Sequence, residues 1–411
     1  MLPTSRRAAI ALSFGALIVI GLNGGAAGVL IPSQQSDYHA DKSTIGLLFF
    51  AFSAGYVLSG AVNGWLIRRL GARGQLTLGG LVLTLGSLGS ALRPPFVVLA
   101  ALAVVLAFGA GVLDAGYNAY VAHLPNPTPL LNLLHACYGV GALAGPLIAA
   151  LLLNAGLSWQ AFYLVLAPLG VLLAIGSAVL LPGPLPVPDD GEAPASVTRA
   201  LRRPEILLAT AFLFGYVGVE VTVGSWGYSY LTQYRGQGAL LAGWVISGYW
   251  LGITLGRFVV SAVTSRLGIS TATMMYAMVI GVCGCAAFIW IAPGGVLVSI
   301  GLLLMGVFLG PIFPTTIAVL PELTPLSLVP TAIGLLIGVS VIGGSILPWG
   351  AGTLAEHLGL ASLPPFLLVL GALCVLSWWS IARRLPAARP LVEPVAQAAE
   401  AVAGTGRPVV E

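Results

Sequence analysis

The chain has 411 residues, of which 58% are hydrophobic and 7% charged, and its mean hydropathy is +1.00. A soluble domain carries roughly 25% charged residues, so a water-soluble globular fold is excluded and lipid must be the solvent. The net charge of +4 is not gathered into a Lys/Arg cluster interleaved with aromatics, which argues against a nucleic-acid partner.

A helix needs about 20 apolar residues to cross a bilayer. Cutting the chain at charged, proline and polar clusters predicts twelve such spans: 8–32, 42–67, 75–92, 95–122, 131–153, 158–181, 205–233, 239–265, 271–292, 295–320, 327–354 and 362–382. The first follows Arg6 and Arg7 as a signal peptide would, but it is too long for a signal h-region and reads as a retained span. Residues 182–204, with Asp189, Asp190, Glu192 and several prolines, read as a cytoplasmic linker between six-span bundles at 1–181 and 205–384. The stretch 385–411 reads as a disordered tail.

Lys and Arg sort by loop. With the N-terminus inside, Arg6, Arg7, Arg68, Arg69, Arg73, Arg199, Arg202, Arg203, Arg266, Arg383, Arg384, Arg389 and Arg407 are cytoplasmic. Lys42, Arg93 and Arg235 are outside, and Arg257 lies within span 8. This bias predicts a multi-pass protein of the cell (inner) membrane with both termini cytoplasmic.

The two halves repeat in the same direction. An offset of 197 carries Gly46, Gly55 and Leu58 onto Gly243, Gly252 and Leu255, and Arg69-Leu70-Gly71 onto Arg266-Leu267-Gly268. An offset of 199 carries Gly139, Val140 and Gly145 onto Gly338, Val339 and Gly344.

Each half holds one isolated acid. Asp114 is the only acid between Asp41 and Asp189, and Glu220 the only one between Glu205 and Glu322. An ionised group at membrane depth costs about 2.5–3.5 kcal/mol even on the lenient insertion scale. Both are therefore candidates for a proton or ion pathway, and burial would favour the protonated form of such a carboxyl. Asp114 could instead be structural, bonded to Asn118 one turn on. Glu220 lies among Gly215, Gly218, Gly224 and Gly227. These glycines permit a bent or partly unwound helix lining a cavity, or else close helix packing.

His135 is a candidate proton relay or a local hydrogen-bonding group, with Asn132 one turn earlier. Arg257 reads as a snorkelling or carbonyl-bonded cation more readily than as a solute contact. Trp226, Tyr249 and Trp250 could face a cavity, while Tyr230 and Tyr234 read as interfacial belt. Asn23, Asn118 and Asn132 are candidate solute-binding amides, and Asn63 could add a hydrogen bond. Cys137, Cys283, Cys285 and Cys374 fall in apolar stretches and read as core thiols rather than metal ligands. No Walker-type loop or Ser-His-Asp arrangement is present, so ATP drive, enzymatic activity and cofactors are not expected.

Several motifs occur in a set order. The loop Gly64-Trp-Leu-Ile-Arg-Arg-Leu-Gly-Ala-Arg73 resembles the signature between spans 2 and 3 of the major facilitator superfamily, with Arg68 where the family has an acid. Arg69 and Gly71, with Arg266 in the second half, belong to this gating or structural loop. Further on come Leu113-Asp-Ala-Gly-Tyr-Asn-Ala-Tyr-Val121, Leu131-Asn-Leu-Leu-His135, Tyr216-Val-Gly-Val-Glu220, Gly256-Arg-Phe258, Phe313-Pro-Thr315 and Ile342-Gly-Gly-Ser-Ile-Leu-Pro348. Together these resemble the fucose permease-like branch of that superfamily.

The resemblance implies an all-α integral membrane fold of twelve helices in two parallel six-helix repeats, and proton-coupled sugar uptake. Asp114 matches the permease's acid in span 4. The acid of span 1 is replaced by Gly28, and Glu220 and His135 stand where the permease has glutamine. The expectation is a symporter, acting as a monomer, for a sugar or similar small polar solute driven by protons or sodium. A proton-driven exporter of drugs or metabolites and a non-transporting membrane receptor are the alternatives.

Overall fold

The computed structural model describes residues 4–124, 127–181, 197–325 and 328–385. Among these residues all regular structure is helical. The first half comprises α1 (Thr4–Tyr38), α2 (Lys42–Ala91), α3 (Phe96–Ala122), α4 (Pro127–Asn154) and α5 (Gln160–Leu180), followed by a short α6 (Val197–Leu201). The second comprises α7 (Pro204–Ser229), α8 (Ala239–Arg266), α9 (Thr271–Ile291), α10 (Gly294–Leu309), α11 (Ile312–Ala318), α12 (Leu320–Leu323), α13 (Val329–Leu358) and α14 (Leu363–Ala382).

Twelve crossings result. The 50-residue α2 holds spans 2 and 3, which meet at Gly71, where the backbone turns to φ 64°, ψ 170°. Span 10 is α10 with α11. The crossings follow the predicted limits closely, but α1 does not stop at Pro32. It runs through that proline to Tyr38, because neighbouring helices and local adjustment absorb a missing N–H inside a membrane bundle. The predicted linker and tail lie outside the described residues over 182–196 and 386–411.

Inverted polarity of packing marks the solvent as lipid. Leu85, Leu172, Val97 and Ile291 point outward at 61–79% exposure, while small residues face inward and let backbones approach. α1 packs on α4, and α2 on α3 and α5; in the second half α7 packs on α13 and α14, and α8 on α10.

The internal repeat is visible in these contacts. Gly71 and Gly268 both take φ 64°. Gly55 of α2 lies against the Val104 carbonyl of α3, and its counterpart Gly252 of α8 against the Leu303 carbonyl of α10. Gly46 of α2 receives Trp349 of α13, and its counterpart Gly243 of α8 receives Ala150 of α4.

The start of α1, the Gly71 and Gly268 turns and the end of α14 share one end of the bundle, the basic face. At the opposite end the halves are joined. Lys42 Nζ lies 3.2 Å from Glu356 Oε2, and the Phe50 and Trp349 rings meet edge-on at 5.8 Å. The Ser345 hydroxyl donates to that of Ser53. Beside this seam, Gly28 of α1 lies directly on the carbonyls of Gly224 and Ser225 of α7. Asp41 caps α2 there: its Oδ1 accepts from the Thr44 N–H at 2.6 Å, and that bond holds its carboxyl below the usual value of 3.8.

Candidate functional site

Between the halves lies a chamber of about 1000 Å³. Its walls come from α1, α2, α3 and α4 on one side and α7, α8, α11 and α13 on the other. Thr271 and Glu322, at helix ends of the basic face, line it, so it opens in that direction. The contacts at the opposite end close it there.

Asp114 and Glu220 both line this chamber. α3 presents Asp114 at mid-helix, and two groups hold its carboxylate. Tyr56 Oη of α2 donates to Oδ2 at 2.6 Å, and Asn118 Nδ2 donates to Oδ1 at 2.8 Å. Charge-assisted bonds of this length are the strong kind. Asn118 also donates to the Asp114 carbonyl at 3.0 Å, so it orients the acid and does not line the chamber itself.

Glu220 sits halfway along α7. Tyr249 Oη donates to its backbone carbonyl at 3.0 Å, which pins the helix on the side away from the chamber. Here α7 is regular, and of the two readings left open for its glycines the structure shows close packing rather than unwinding. The glycines serve close approach instead: Gly218 faces Leu347, Gly224 faces Trp250 and Gly227 faces Ile246. The helix departs from α geometry only beyond Ser229, in a π turn at Tyr230–Tyr234.

His135, Asn132 and Arg257 also belong to the polar lining. α4 begins at Pro127, so His135 stands two turns inside the helix, with its side chain open to the chamber. His135 of α4 and Arg257 of α8 line the same space as Asp114 and Glu220, so charged side chains from both halves share it.

The aromatic candidates divide. Trp250 lines the chamber. Tyr249 is fully buried behind it, rings 5.5 Å apart. Trp226 is also fully buried and donates to the Pro348 carbonyl at 2.8 Å; with Phe49 edge-on at 6.1 Å it fastens α7 to α13 and α2. Neither lies on the chamber, because bulky rings at those positions fill the inter-helix wedge opened by glycines. Tyr230 is buried rather than interfacial, its hydroxyl accepting from Arg235 Nη2 at 2.8 Å.

Asn23 lines a separate compartment on α1's inner face, and Asn63 accepts from Gln75 rather than facing a solute. Arg69 and Arg266 are exposed on the basic face beside Gly71 and Gly268. Sequence reasoning missed several chamber residues, Tyr56 and Glu322 among them. Tyr56 is one polar-tipped ring in a run of small apolar residues, and Glu322 lies just past the predicted end of span 10.

A sequence profile of the Major Facilitator Superfamily matches residues 13–298 and again 208–410. A glucose/galactose transporter of Brucella abortus is 26% identical over 362 residues, covering 82% of this chain and 86% of that protein. Bypass of stop codon protein 6 of Saccharomyces cerevisiae is 24% identical over 405 residues, 88% and 80% of the two chains. Among solved structures, a bacterial homologue of the human lysosomal transporter Spinster, inward-facing and unoccupied, superposes with a TM-score of 0.76 at 14% identity over 94% of this chain and all of the other. The Escherichia coli fucose:proton symporter superposes with a TM-score of 0.61 at 19% identity, over 90% and 98%. The chain belongs to the Major Facilitator Superfamily and is a multi-pass membrane transporter, not an enzyme.

Proposed function

We propose that the protein is a proton-coupled symporter for a sugar or similar small polar solute, working by alternating access. The observation that carries this reading is the shared chamber: two otherwise isolated carboxyl groups, one from each half, face the same space of about 1000 Å³. Rocking the halves about this space exposes the same acids first to one side of the membrane and then to the other. A proton taken by Asp114 or Glu220 neutralises a buried charge and lowers the cost of closing the bundle around it. His135 carries protons between bulk water and Asp114.

The excess of Arg at the basic face supports a cytoplasmic assignment for that face and for both termini. The chamber as described then faces the cytoplasm. A glucose/galactose transporter among the relatives and two sugar–proton symporters among the similar folds support the solute class.

Transport in proteoliposomes tests the reading. D-Glucose, D-galactose and D-xylose are offered under an imposed inward proton gradient, with a sodium gradient as the parallel arm. Gradient-driven accumulation that is abolished by a protonophore, and at least tenfold lower in Asp114→Asn or Glu220→Gln, is the expected result. Accumulation that follows the sodium gradient alone, or that both variants leave intact, removes the proposal.

A further inference from the structure

At the joined end of the bundle, Glu356 does more than pair with a lysine. Its Oε2 accepts from Lys42 Nζ at 3.2 Å and also from the backbone N–H of Lys42 at 3.1 Å. Lys42 is the first residue of α2, so this N–H is one of the donors that a helix start leaves without an intrahelical partner. Asp41 serves the Thr44 N–H of the same turn. The first turn of α2 is thus capped by two carboxylates, its own Asp41 and Glu356 from the other half. The aligned peptide dipoles favour an anion there in addition to the hydrogen bond.

The internal repeat shows that closure does not require these charges. The offset of 197 carries Asp41 and Lys42 onto Gly238 and Ala239, and the offset of 199 carries Leu157 onto Glu356. The equivalent seam, between α4 and α8, therefore has neither acid nor base at the matching positions, and it packs through contacts such as Gly243 on Ala150. A charged cap at one of two equivalent seams adds something other than closure.

We infer that Glu356 is a proton-operated latch on the outer end: ionised, it caps α2 across the seam and holds the halves together, and protonated, it lets go, so that acid favours the outward-open form. This rests on the alternating-access reading and on no choice of solute or coupling ion. The direction follows from donor and acceptor chemistry. A carboxylate is acceptor-only, whereas a protonated carboxyl has no charge and brings a donor of its own. The closed form offers Glu356 two N–H donors, and the open form offers it water. The closed form therefore binds the proton less tightly than the open form. By linkage, a fall in pH through the carboxyl range, about 4.3 for a free Glu, moves the population toward open.

The groups facing Glu356 are Lys42 and Asp41 from α2 and its neighbour His357 on α13. Residues 358–382, which follow in the chain, hold no charged side chain. Asp41 caps α2 from within its own half, so it is bound alike in both forms and does not discriminate between them. A charged His357 draws the two acids and favours closure, which is the opposite sign.

Spin labels at Leu92→Cys and Val296→Cys, exposed residues on outer turns of opposite halves, report the separation of the outer ends. Pulsed electron–electron resonance on the purified full-length protein reads it. The parent for these measurements has Cys137, Cys283, Cys285 and Cys374 replaced and carries Asp114→Asn and Glu220→Gln, so that the chamber acids are silent. Lowering the pH from 7.5 to 4.5 raises the long-distance population roughly threefold, the scale of one partly solvated charge contact. Glu356→Gln shows the raised population already at pH 7.5 and does not respond to acid. The exchange of Lys42→Glu with Glu356→Lys restores opposite charges but sets a cation on the helix start. It leaves the outer end open, because lysine accepts no hydrogen bond.

Closure restored by the exchange reveals a plain ion pair and overturns the cap. An acid response that persists in Glu356→Gln, or that the parent lacks, overturns the latch alone. A single distance in every variant at both pH values overturns alternation, and the latch with it.

Discussion

Gly28 stands where the resembling permease places an acid, and its surroundings explain why no acid can stand here in the described state. A Cβ at this position would meet the backbone carbonyl of Gly224, and that of Ser225 at 2.8 Å. Backbone atoms of a packed helix yield only if α1 and α7 separate. Gly28→Ala is therefore expected to disfavour the sealed outer end by about 1–3 kcal/mol, the usual scale of overpacking. Labelling of Phe50→Cys by a membrane-impermeant maleimide added opposite the termini reads this out. The rate should rise at least fivefold in the Gly28→Ala background, and an unchanged rate would show that the α1–α7 contact does not hold the outer end closed. Asp114 and Glu220 were legible from sequence because an acid among apolar residues has no other ready explanation. Tyr56 was not, since a tyrosine in a span costs little and its hydroxyl has meaning only once α2 is placed beside α3.

At the scale of elements, the break within α2 sets where spans 2 and 3 part, and its cause is one residue. Gly71 adopts φ 64°, and no atom lies within 4 Å of where a Cβ would stand. Substitution there meets no steric neighbour, so its cost is conformational alone, roughly 1–2 kcal/mol for an L-residue in this region. Gly71→Ala should lower the melting temperature of the purified protein by roughly 2–4 °C, and Gly268→Ala, at the matching turn with the same φ, by a similar amount. Equal melting of variants and wild type would mean that the turn is imposed by its flanks. The Arg-Leu-Gly triplet announced this turn twice in the sequence, and the offset that aligned Gly55 with Gly252 also aligned the contacts they make, on Val104 and Leu303. Glycine density near Glu220 left two readings open, because close packing and unwinding draw on the same composition. What separates them is the neighbouring helix, and Trp250 and Ile246 of α8 fill the space that unwinding would need.

For the whole molecule, the described state is sealed at one end and open at the other, and α2 of the first half and α13 of the second form the seam. α2 and α13 meet through the Lys42–Glu356 ion pair, the Phe50–Trp349 ring contact and the Ser345–Ser53 hydrogen bond. The ion pair is partly solvated, with side chains 18% and 33% exposed, and pairs of that kind contribute about 1 kcal/mol or less. The ring and hydroxyl contacts, with Ser345 buried at 2% exposure, therefore carry most of the seam. A transporter that alternates must break this seam once per cycle, whereas a receptor on the same fold need not. Cysteines at Ser53 and Ser345, whose hydroxyls touch, turn that difference into a measurement. In a background with Cys137, Cys283, Cys285 and Cys374 replaced by alanine or serine, an oxidant should join the pair readily without solute. Uptake should then stop, the chamber should remain open to reagents from the basic face through His135→Cys, and a reductant should restore transport. Full transport with the pair joined would mean that α2 and α13 never part at this point, and alternation about the Asp114–Glu220 chamber would have to be abandoned.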